Sequence, residues 1–341
     1  MALYLLLGTC LLLVAKDEAM NDLIKETIQT NTLSLDLPIE SPQLIAIEKI
    51  KRPLGYALPN FVSLSATIRY GEIRTQGFGE GPEQLAIAKA ISEATERAVQ
   101  KYFALKTGQA ESSNGWACHT SPSLAMQSAL MELTERDVAL SNWESNGPFY
   151  ELPTSLWPSE ITSWNSAKYT NQEFSKLRIL ISSNKNGACI SALLFNDNLN
   201  FVSGHASGLD LNHAMLSATT ECMRAAHAAL RLDNFSEVRA LHLDDFNTPT
   251  PPGGHSLAYA YSEPLPSCVQ IIEANESQVL NIWKNHVTTF SALDLSKMRI
   301  QLYEVGELYI ARVRSDNHKP IYWGKNNNFK INLNLKPHFV G

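Results

Sequence analysis

The sequence is poor in charged residues and has no paired cysteines, and the low charge already excludes one class of partner. Charged residues make up 18% of the 341 residues, with 34 acidic and 28 basic side chains and a net charge of −6. No dense run of Lys or Arg occurs, so the electrostatic signature of a nucleic-acid-binding surface is missing. We therefore expect neither DNA nor RNA as a partner.

The cysteines exclude two further kinds of protein. The chain has 5 cysteines, which are far apart in the sequence and form no CxxC pair. A disulfide framework needs an even set, and a zinc site needs ligands at short spacing. We therefore expect neither feature, and the pattern predicts a protein of the reducing cytoplasm.

The N-terminal apolar run, Ala2–Ala15, is too short to cross a bilayer, which needs about 20 residues. It also lacks the basic flank and the small-residue cleavage pattern of a signal peptide. We interpret it as a buried strand, followed by an amphipathic helix over Asp17–Gln29. Residues 1–45 are thus predicted to form a strand-helix extension, residues 46–341 to form one further domain, and no membrane association is expected.

The familiar catalytic signatures are also absent. The sequence contains no GxxxxGK[ST] loop, no GxGxxG turn after a strand, no GxSxG elbow and no HExxH helix. The common nucleotide-binding, hydrolase and zinc-protease sites are therefore not expected. Any nucleotide site in this chain must be of a less common type.

Hydrophobic periodicity predicts an α/β fold with mixed sheets and packed helices. Long helices are expected after Pro82, after Pro122 and after Asp210, which can cap its helix. The predicted strands are 57–65, 66–76, 177–182, 188–195, 201–205, 301–305 and 308–313.

One pattern, Ala-x3-Ala-x2-Glu, occurs in all three predicted helices. Two alanines four residues apart give a flat stripe for close packing, and the glutamate projects from an adjacent face. A second charged residue follows three positions later. The three copies are Ala86/Ala90/Glu93/Glu96/Arg97, Ala125/Ala129/Glu132/Glu135/Arg136 and Ala214/Ala218/Glu221/Arg224.

The chemistry of this pattern has two interpretations. A single Glu/Arg pair is typical of a solvated surface helix. Two glutamates three residues apart repel each other, however, unless a cation neutralises them. Carboxylates with too few basic partners suit Mg²⁺, which takes oxygen ligands and commonly bridges to phosphate. Because the pattern occurs three times in the same phase, we predict a magnesium-nucleotide site.

These segments resemble the YcaO family. The resemblance is carried by residues 79–97 (GEGPEQLAIAKAISEATER), 113–137 (SNGWACHTSPSLAMQSALMELTERD) and 204–224 (GHASGLDLNHAMLSATTECMR). It implies a YcaO-like ATP-binding fold over 46–341 and ATP-dependent activation of a peptide-bond oxygen. In azoline-forming members, a Cys, Ser or Thr side chain attacks the preceding carbonyl, whose oxygen takes the phosphoryl group and leaves as phosphate.

The resemblance also implies roles for individual residues. The expected metal ligands are Glu96, Glu132, Glu135 and Glu221. The expected ATP-binding residues are Ser113, Asn114, Glu93, Arg97, Arg136 and Arg224. The sequence does not indicate which residue is the catalytic acid or base.

The resemblance further implies a precursor peptide as substrate, of the kind modified in bacteriocin-type peptide biosynthesis. A separate E1-like or related protein is expected to bind the leader of that peptide, with a flavin dehydrogenase as a further candidate subunit, in an oligomer or hetero-complex. Thioamide or amidine formation stays open as the reaction.

The chain departs from the family pattern at several positions. Leu124 stands where an acidic residue is usual, Thr120 where Asn is usual, and Arg224 where Gln is common. The C-terminal segment 336–341 also lacks the Pro-x-Pro-x-Pro ending of many azoline-forming members. These departures motivate an alternative function, that of a structural or regulatory subunit that binds nucleotide without turnover.

Overall fold

The computed structural model describes residues 42–52, 56–108, 114–167, 173–231, 259–260 and 269–319. The predicted strand and helix of the N-terminal extension lie outside these residues, as does Ser113. The boundary predicted at residue 45 therefore stays a prediction. The chain divides into two compact units. One comprises residues up to Lys51, Asn60–Leu133 and Leu293–His318, and the other comprises Arg52–Pro59, Thr134–Ala292 and the residues from Lys319.

The first unit contains an antiparallel sheet in the order β1-β2-β3, formed by Gln43–Lys49, Val62–Tyr70 and Ile73–Gly81. Helix α1, Glu83–Thr107, follows directly and packs on β3 and β2. Its buried face includes the predicted alanine stripe of Ala86 and Ala90, together with Ala94 and Ala98, and all four are fully buried. The amphipathic helix therefore forms where its stripe can cover the sheet.

Glycines on β3 let α1 come close to the sheet. A Cβ atom added at Gly79 would lie 1.8 Å from the carbonyl oxygen of Ala86, and one at Gly77 would lie 2.2 Å from the amide nitrogen of Ala94. No side chain fits at either position. The small residues on both elements thus set the distance between strand and helix.

A second sheet in the first unit has the order β10-β11-β4, formed by Arg299–Val305, Leu308–Arg314 and Trp116–His119, all antiparallel. Trp116 stacks on Tyr303 with ring centroids 6.1 Å apart, and Phe103 of α1 contacts both rings. This aromatic group belongs to a core that also includes residues of β2, β3 and α1.

The long helix α2, Pro122–Ser145, follows β4. Its residues up to Leu133 belong to the first unit, and those from Thr134 belong to the second. The sequence predicted this helix from Pro122 and from its alanines, and both Ala125 and Ala129 are fully buried.

The second unit is built on a five-stranded sheet in the order β8-β7-β6-β5-β9. Neighbouring strands are antiparallel except β5 and β9, which are parallel. Strand β7 is buried along its whole length, as expected for the centre of a sheet covered on both faces. The strands are β5 Phe149–Glu151, β6 Lys176–Asn184, β7 Gly187–Phe195, β8 Phe201–Ala206 and β9 Ile271–Glu273.

In the described part of the second unit, three further α-helices have defined bounds. Helix α3, Ser159–Ser166, is short, whereas α4, Leu211–Arg231, packs on β8 and β7. Helix α5, Glu276–Ser291, packs on β7 and β6 and begins with a capping box between Asn275 and Gln278. As predicted, Asp210 caps α4, since its side chain accepts a hydrogen bond from the amide of His213 at 2.7 Å.

The predicted α/β class with mixed sheets is confirmed. The sequence missed β1, β4, β5 and β9, of which the last three have only three or four residues. Such short strands are held by their neighbours rather than by a pattern of their own. Over the described part of the chain, no helix combines the length and the apolar character needed to span a membrane.

Candidate functional site

The first unit brings together Glu96 of α1 and Glu132 of α2. Both side chains are partly buried, and the amide of Gln100 donates to Glu96 Oε1 at 2.8 Å. Burial, together with the charges of Glu132 and Glu93, raises the pKa of Glu96 well above its ordinary value. Such a carboxylate is costly to ionise unless a cation binds nearby.

Glu93 lies one turn before Glu96 and has a different environment. One of its carboxylate oxygens accepts a hydrogen bond from the backbone N–H of Phe78 on β3, and the other is 2.7 Å from Arg97 Nη2. Arg97 also donates to the carbonyl of Gln76 at 2.8 Å. Glu93 and Arg97 therefore connect α1 to the neighbouring strand.

The second unit holds Glu135 of α2 and Glu221 of α4. Burial raises the pKa of Glu135 to about 7, and the charge of Glu221 acts in the same direction. Arg136, whose Nε is 3.5 Å from Glu135 Oε1, and the backbone N–H of Ser207, which donates to Glu135, partly offset this rise. Glu135 thus exchanges its proton near neutral pH.

Glu221 contacts its strand much as Glu93 does. Its Oε2 accepts a hydrogen bond from the backbone N–H of His205 on β8 at 2.9 Å, and its Oε1 is 3.4 Å from Arg224. A glycine again permits the approach, since a Cβ added at Gly204 would lie 2.3 Å from the carbonyl oxygen of Ala218. The first and third copies of the sequence repeat therefore make the same strand-to-helix contact.

Asp137, which follows Arg136 on α2, is a buried structural residue. Its carboxylate accepts hydrogen bonds from the side chains of Asn184 and Asn186 and from the backbone N–H of Lys319, each at 2.8 Å. It therefore fixes the turn between β6 and β7 together with the segment at Lys319.

Sequence reasoning missed three groups around these carboxylates. Gln100 could have been found from its spacing of four residues after Glu96, whereas Ser207 gives no local signal because its contact to Glu135 spans the fold. Arg52 lies between β1 and β2. Burial and the charge of Arg224 lower the pKa of Arg52 to about 9, which indicates two guanidinium groups near each other in the second unit.

Asn114 and His119 lie in the segment that precedes α2. Asn114 is buried just ahead of β4. The ring of His119 accepts a hydrogen bond through Nδ1 from the backbone N–H of Thr120 at 2.9 Å, which ties it to its own loop. Burial lowers its pKa.

The carboxylates fit Mg²⁺ held jointly with phosphate. Among the residues that the structure describes, no three His, Cys, Asp or Glu side chains are arranged to hold a metal ion alone. Magnesium in nucleotide sites is usually bound through one or two carboxylates, with phosphates and waters completing the shell. The two pairs of acidic residues, Glu96 with Glu132 and Glu135 with Glu221, therefore suit this ion better than a zinc-type site would.

Comparison with known proteins identifies the class of this chain. A family model described as YcaO cyclodehydratase, ATP- and Mg²⁺-binding, matches residues 102–305. Among curated proteins, no sequence matches the chain. The chain belongs to the YcaO family, and it is an ATP-dependent cyclodehydratase with ATP and Mg²⁺ as cofactors. The predictions of the family, of this activity class and of both cofactors are thus confirmed.

Solved structures show the same fold. The YcaO protein of Methanopyrus kandleri, bound with AMPPCP and Mg²⁺, has a TM-score of 0.52 at 12% sequence identity, with 91% of this chain and 95% of that chain covered. A heterocyclase in complex with substrate and cofactor has a TM-score of 0.57 at 12% identity. In that case 84% of this chain is covered, and it spans about half of the other chain, 52%.

Proposed function

We propose that this chain forms azolines from Cys, Ser or Thr residues in a ribosomally made precursor peptide. The observation that carries the proposal is that burial and neighbouring acidic groups raise the pKa of Glu96 in the first unit and of Glu135 in the second, in a chain of the YcaO family. The side-chain thiol or hydroxyl attacks the preceding carbonyl carbon. The resulting oxyanion takes the terminal phosphoryl group from ATP, which releases ADP. Phosphate then leaves as the C=N bond of the ring forms, with loss of the thiol or hydroxyl proton and of the amide proton.

In this proposal the acidic residues hold magnesium. Glu96 and Glu132 of the first unit and Glu135 and Glu221 of the second unit are the proposed ligands. Bound Mg²⁺ would neutralise phosphate charge during phosphoryl transfer. Mg²⁺ binding at Glu96 and Glu135 is coupled to loss of a proton, because their pKa values are raised.

The proposed nucleotide-binding residues are Ser113, Asn114, Glu93, Arg97, Arg136 and Arg224. Guanidinium groups bind phosphate through paired N–H donors, which suits the three arginines. The contacts of Glu93 and Glu221 to their strands support an additional role for both, since they fix the helices that carry the other charged groups.

The precursor peptide is proposed to reach this chain through an E1-like or related leader-binding partner, with a flavin dehydrogenase subunit oxidising the azoline where an azole is the product. Thioamide and amidine formation are the competing reactions. All three begin with activation of an amide oxygen, so the carboxylates alone do not distinguish them.

A second proposed function is that of a subunit without turnover. Arg224 supports it, because a guanidinium stands three residues after Glu221 where the first two helices carry a second acid, and it contacts that glutamate at 3.4 Å. A site with one acid fewer binds Mg²⁺ more weakly and still retains cations for phosphate.

The two functions are separated by one reconstitution. The chain, its leader-binding partner and a Cys/Ser/Thr-rich precursor peptide encoded beside it are combined with Mg²⁺ and ATP. The enzymatic proposal expects peptide-dependent phosphate release and loss of one water per ring in the mass spectrum. Nucleotide binding without either signal supports the non-catalytic function, and absence of binding at millimolar ATP contradicts both.

A further inference from the structure

His286 is a buried histidine of the second unit for which neither the repeated motif nor the proposed reaction accounts. It lies on α5 in the inward stripe formed with Val279, Trp283 and Phe290, and only 2% of it is exposed. A histidine in such a stripe usually completes the core. The contacts of this ring, however, are directed and polar.

Both ring nitrogens of His286 have backbone partners. Nδ1 is 3.0 Å from the amide nitrogen of Ala188, which can only donate, so Nδ1 is the acceptor and carries no proton. The proton therefore resides on Nε2, which is 2.9 Å from the carbonyl oxygen of Gly208 and donates to it. Burial lowers the pKa of His286, which agrees with this neutral form.

The ring thereby connects β7 to the turn Ser207–Leu209, which precedes α4. Ser207 Oγ donates to the carbonyl of Ala188 at 2.9 Å, so the same strand residue contacts the turn a second time. Trp283 Nε1 lies 3.4 Å from the carbonyl oxygen of Leu209, a weaker contact from the same helix. The turn is held from one side by α5 and β7.

The other side of the turn faces a proposed magnesium ligand, since the backbone N–H of Ser207 donates to Glu135. Gly187 on β7 also lies directly against the ring. A Cβ added at Gly187, whose φ is +147°, would lie 2.6 Å from His286 Nδ1. The absence of a side chain at Gly187 therefore lets the ring reach the backbone of Ala188.

We propose that His286 is a positioning residue for Glu135: its neutral ring fixes the turn whose Ser207 N–H orients that carboxylate. The inference rests on the proposed function, in which Glu135 binds Mg²⁺. Groups that hydrogen-bond a metal ligand typically change metal affinity about 10- to 100-fold when they are removed, and His286 acts on Glu135 through such a group, the Ser207 N–H.

The test compares three variants of the full chain. His286→Gln can place an amide oxygen toward Ala188 and an amide N–H toward Gly208, whereas His286→Leu can do neither. Phe290→Leu, in the same buried stripe, is the control for loss of packing. The Kd for Mg²⁺ is measured by calorimetry with a non-hydrolysable ATP analogue present.

We expect His286→Leu to weaken Mg²⁺ binding about 10- to 100-fold, His286→Gln to remain near the wild type, and Phe290→Leu to lower Tm without changing the Kd. If His286→Leu binds Mg²⁺ as the wild type does, or if Phe290→Leu weakens binding equally, the positioning role is overturned. If the wild type itself binds no Mg²⁺ with the analogue, the proposed function fails and this inference fails with it.

A second measurement needs neither metal nor nucleotide. Hydrogen exchange of the Ser207 amide in the metal-free protein should be accelerated by His286→Leu and unchanged by His286→Gln and Phe290→Leu. Should His286→Leu not fold, His286→Asn replaces it in both experiments. Asn can keep the Ala188 contact and loses the one to Gly208, so exchange and Kd as in the wild type would again overturn the proposal.

Discussion

Glu221 accepts a hydrogen bond from the backbone N–H of His205 at 2.9 Å, and Glu93 makes the equivalent contact to Phe78. In each case the second carboxylate oxygen faces an arginine on the same helix, Arg224 or Arg97. These glutamates therefore stabilise the strand-to-helix arrangement in addition to any role toward ATP or Mg²⁺. The two roles can be separated by substitution.

Glu221→Ala should destabilise the protein by about 2 kcal/mol, because the strand N–H loses a charged acceptor. Glu221→Gln can still accept that hydrogen bond, so it should cost less than half as much. Urea unfolding measures both free energies, and exchange of the His205 amide reports the local contact. Asn212→Ala, an exposed change on the same helix, is the control. Equal costs for Ala and Gln would contradict the strand-holding role.

Glu132→Gln should lower peptide-dependent phosphate release at least about 100-fold, since a charged ligand to the phosphate-bound ion is lost. The Tm of the metal-free protein should not fall, because the substitution removes a charge that raises the pKa of Glu96. Glu83→Gln, exposed in the first turn of α1, serves as the matched control and should retain full turnover. Wild-type turnover by Glu132→Gln would remove Glu132 from the site.

The stability of the metal-free protein should depend on pH through the carboxyl group of Glu135. Its pKa is about 7 in the folded state against an ordinary value of 4.5. Between these values the folded protein holds a proton that the unfolded chain has lost, so the free energy of unfolding falls as pH rises. The loss from pH 4.5 to above pH 7 is about 3 kcal/mol for this group.

Urea unfolding in EDTA at pH 5 and pH 8 checks this dependence, with Glu135→Gln as the reference. His119 and His286, whose pKa values are lowered by burial, contribute with the opposite sign and are present in both proteins. The wild type should therefore lose more stability than Glu135→Gln over this interval. Identical slopes would show that Glu135 has an ordinary pKa.

Gly79→Ala should destabilise the first unit by about 3 kcal/mol or more, because the new Cβ would lie 1.8 Å from a helix carbonyl oxygen that cannot move alone. Gly71→Ala is the control. Its φ of +57° disfavours alanine by about 1 kcal/mol, and nothing lies within 4 Å of the added atom. Unfolding free energies of the two variants, measured side by side, should differ by about 2 kcal/mol or more. A similar cost for both would mean that α1 can shift away from β3.

The sequence predicted α1, α2 and α4 because each has a strong local pattern. The alanine stripes of α1, α2 and α4, the prolines at the starts of α1 and α2 and the Asp210 cap of α4 all act within a few residues. Strand β4 could not be found in this way. Its residues Trp116–His119 form a strand because β11, nearly 200 residues later in the chain, supplies their hydrogen-bond partners.

The site was predictable to a similar extent. Glu96, Glu132 and Glu135 were found from their spacing on helices, and the structure gives two of them raised pKa values. The groups that support them were not found. Ser207 acts through its backbone N–H, which any residue carries, and His286 contacts its turn from a helix about 80 residues away. Such contacts leave no trace in local spacing.

The repeated contact of glutamate with strand also limits how the chain can vary in length. Ala86 and Glu93 are separated by the same number of residues as Ala214 and Glu221, whereas the stretch from Phe78 to Glu93 is one residue shorter than that from His205 to Glu221. An inserted residue within either helix would rotate the glutamate by about 100° away from its strand. Insertions and deletions should therefore be tolerated in the turns that enter these helices and rejected within their first three turns.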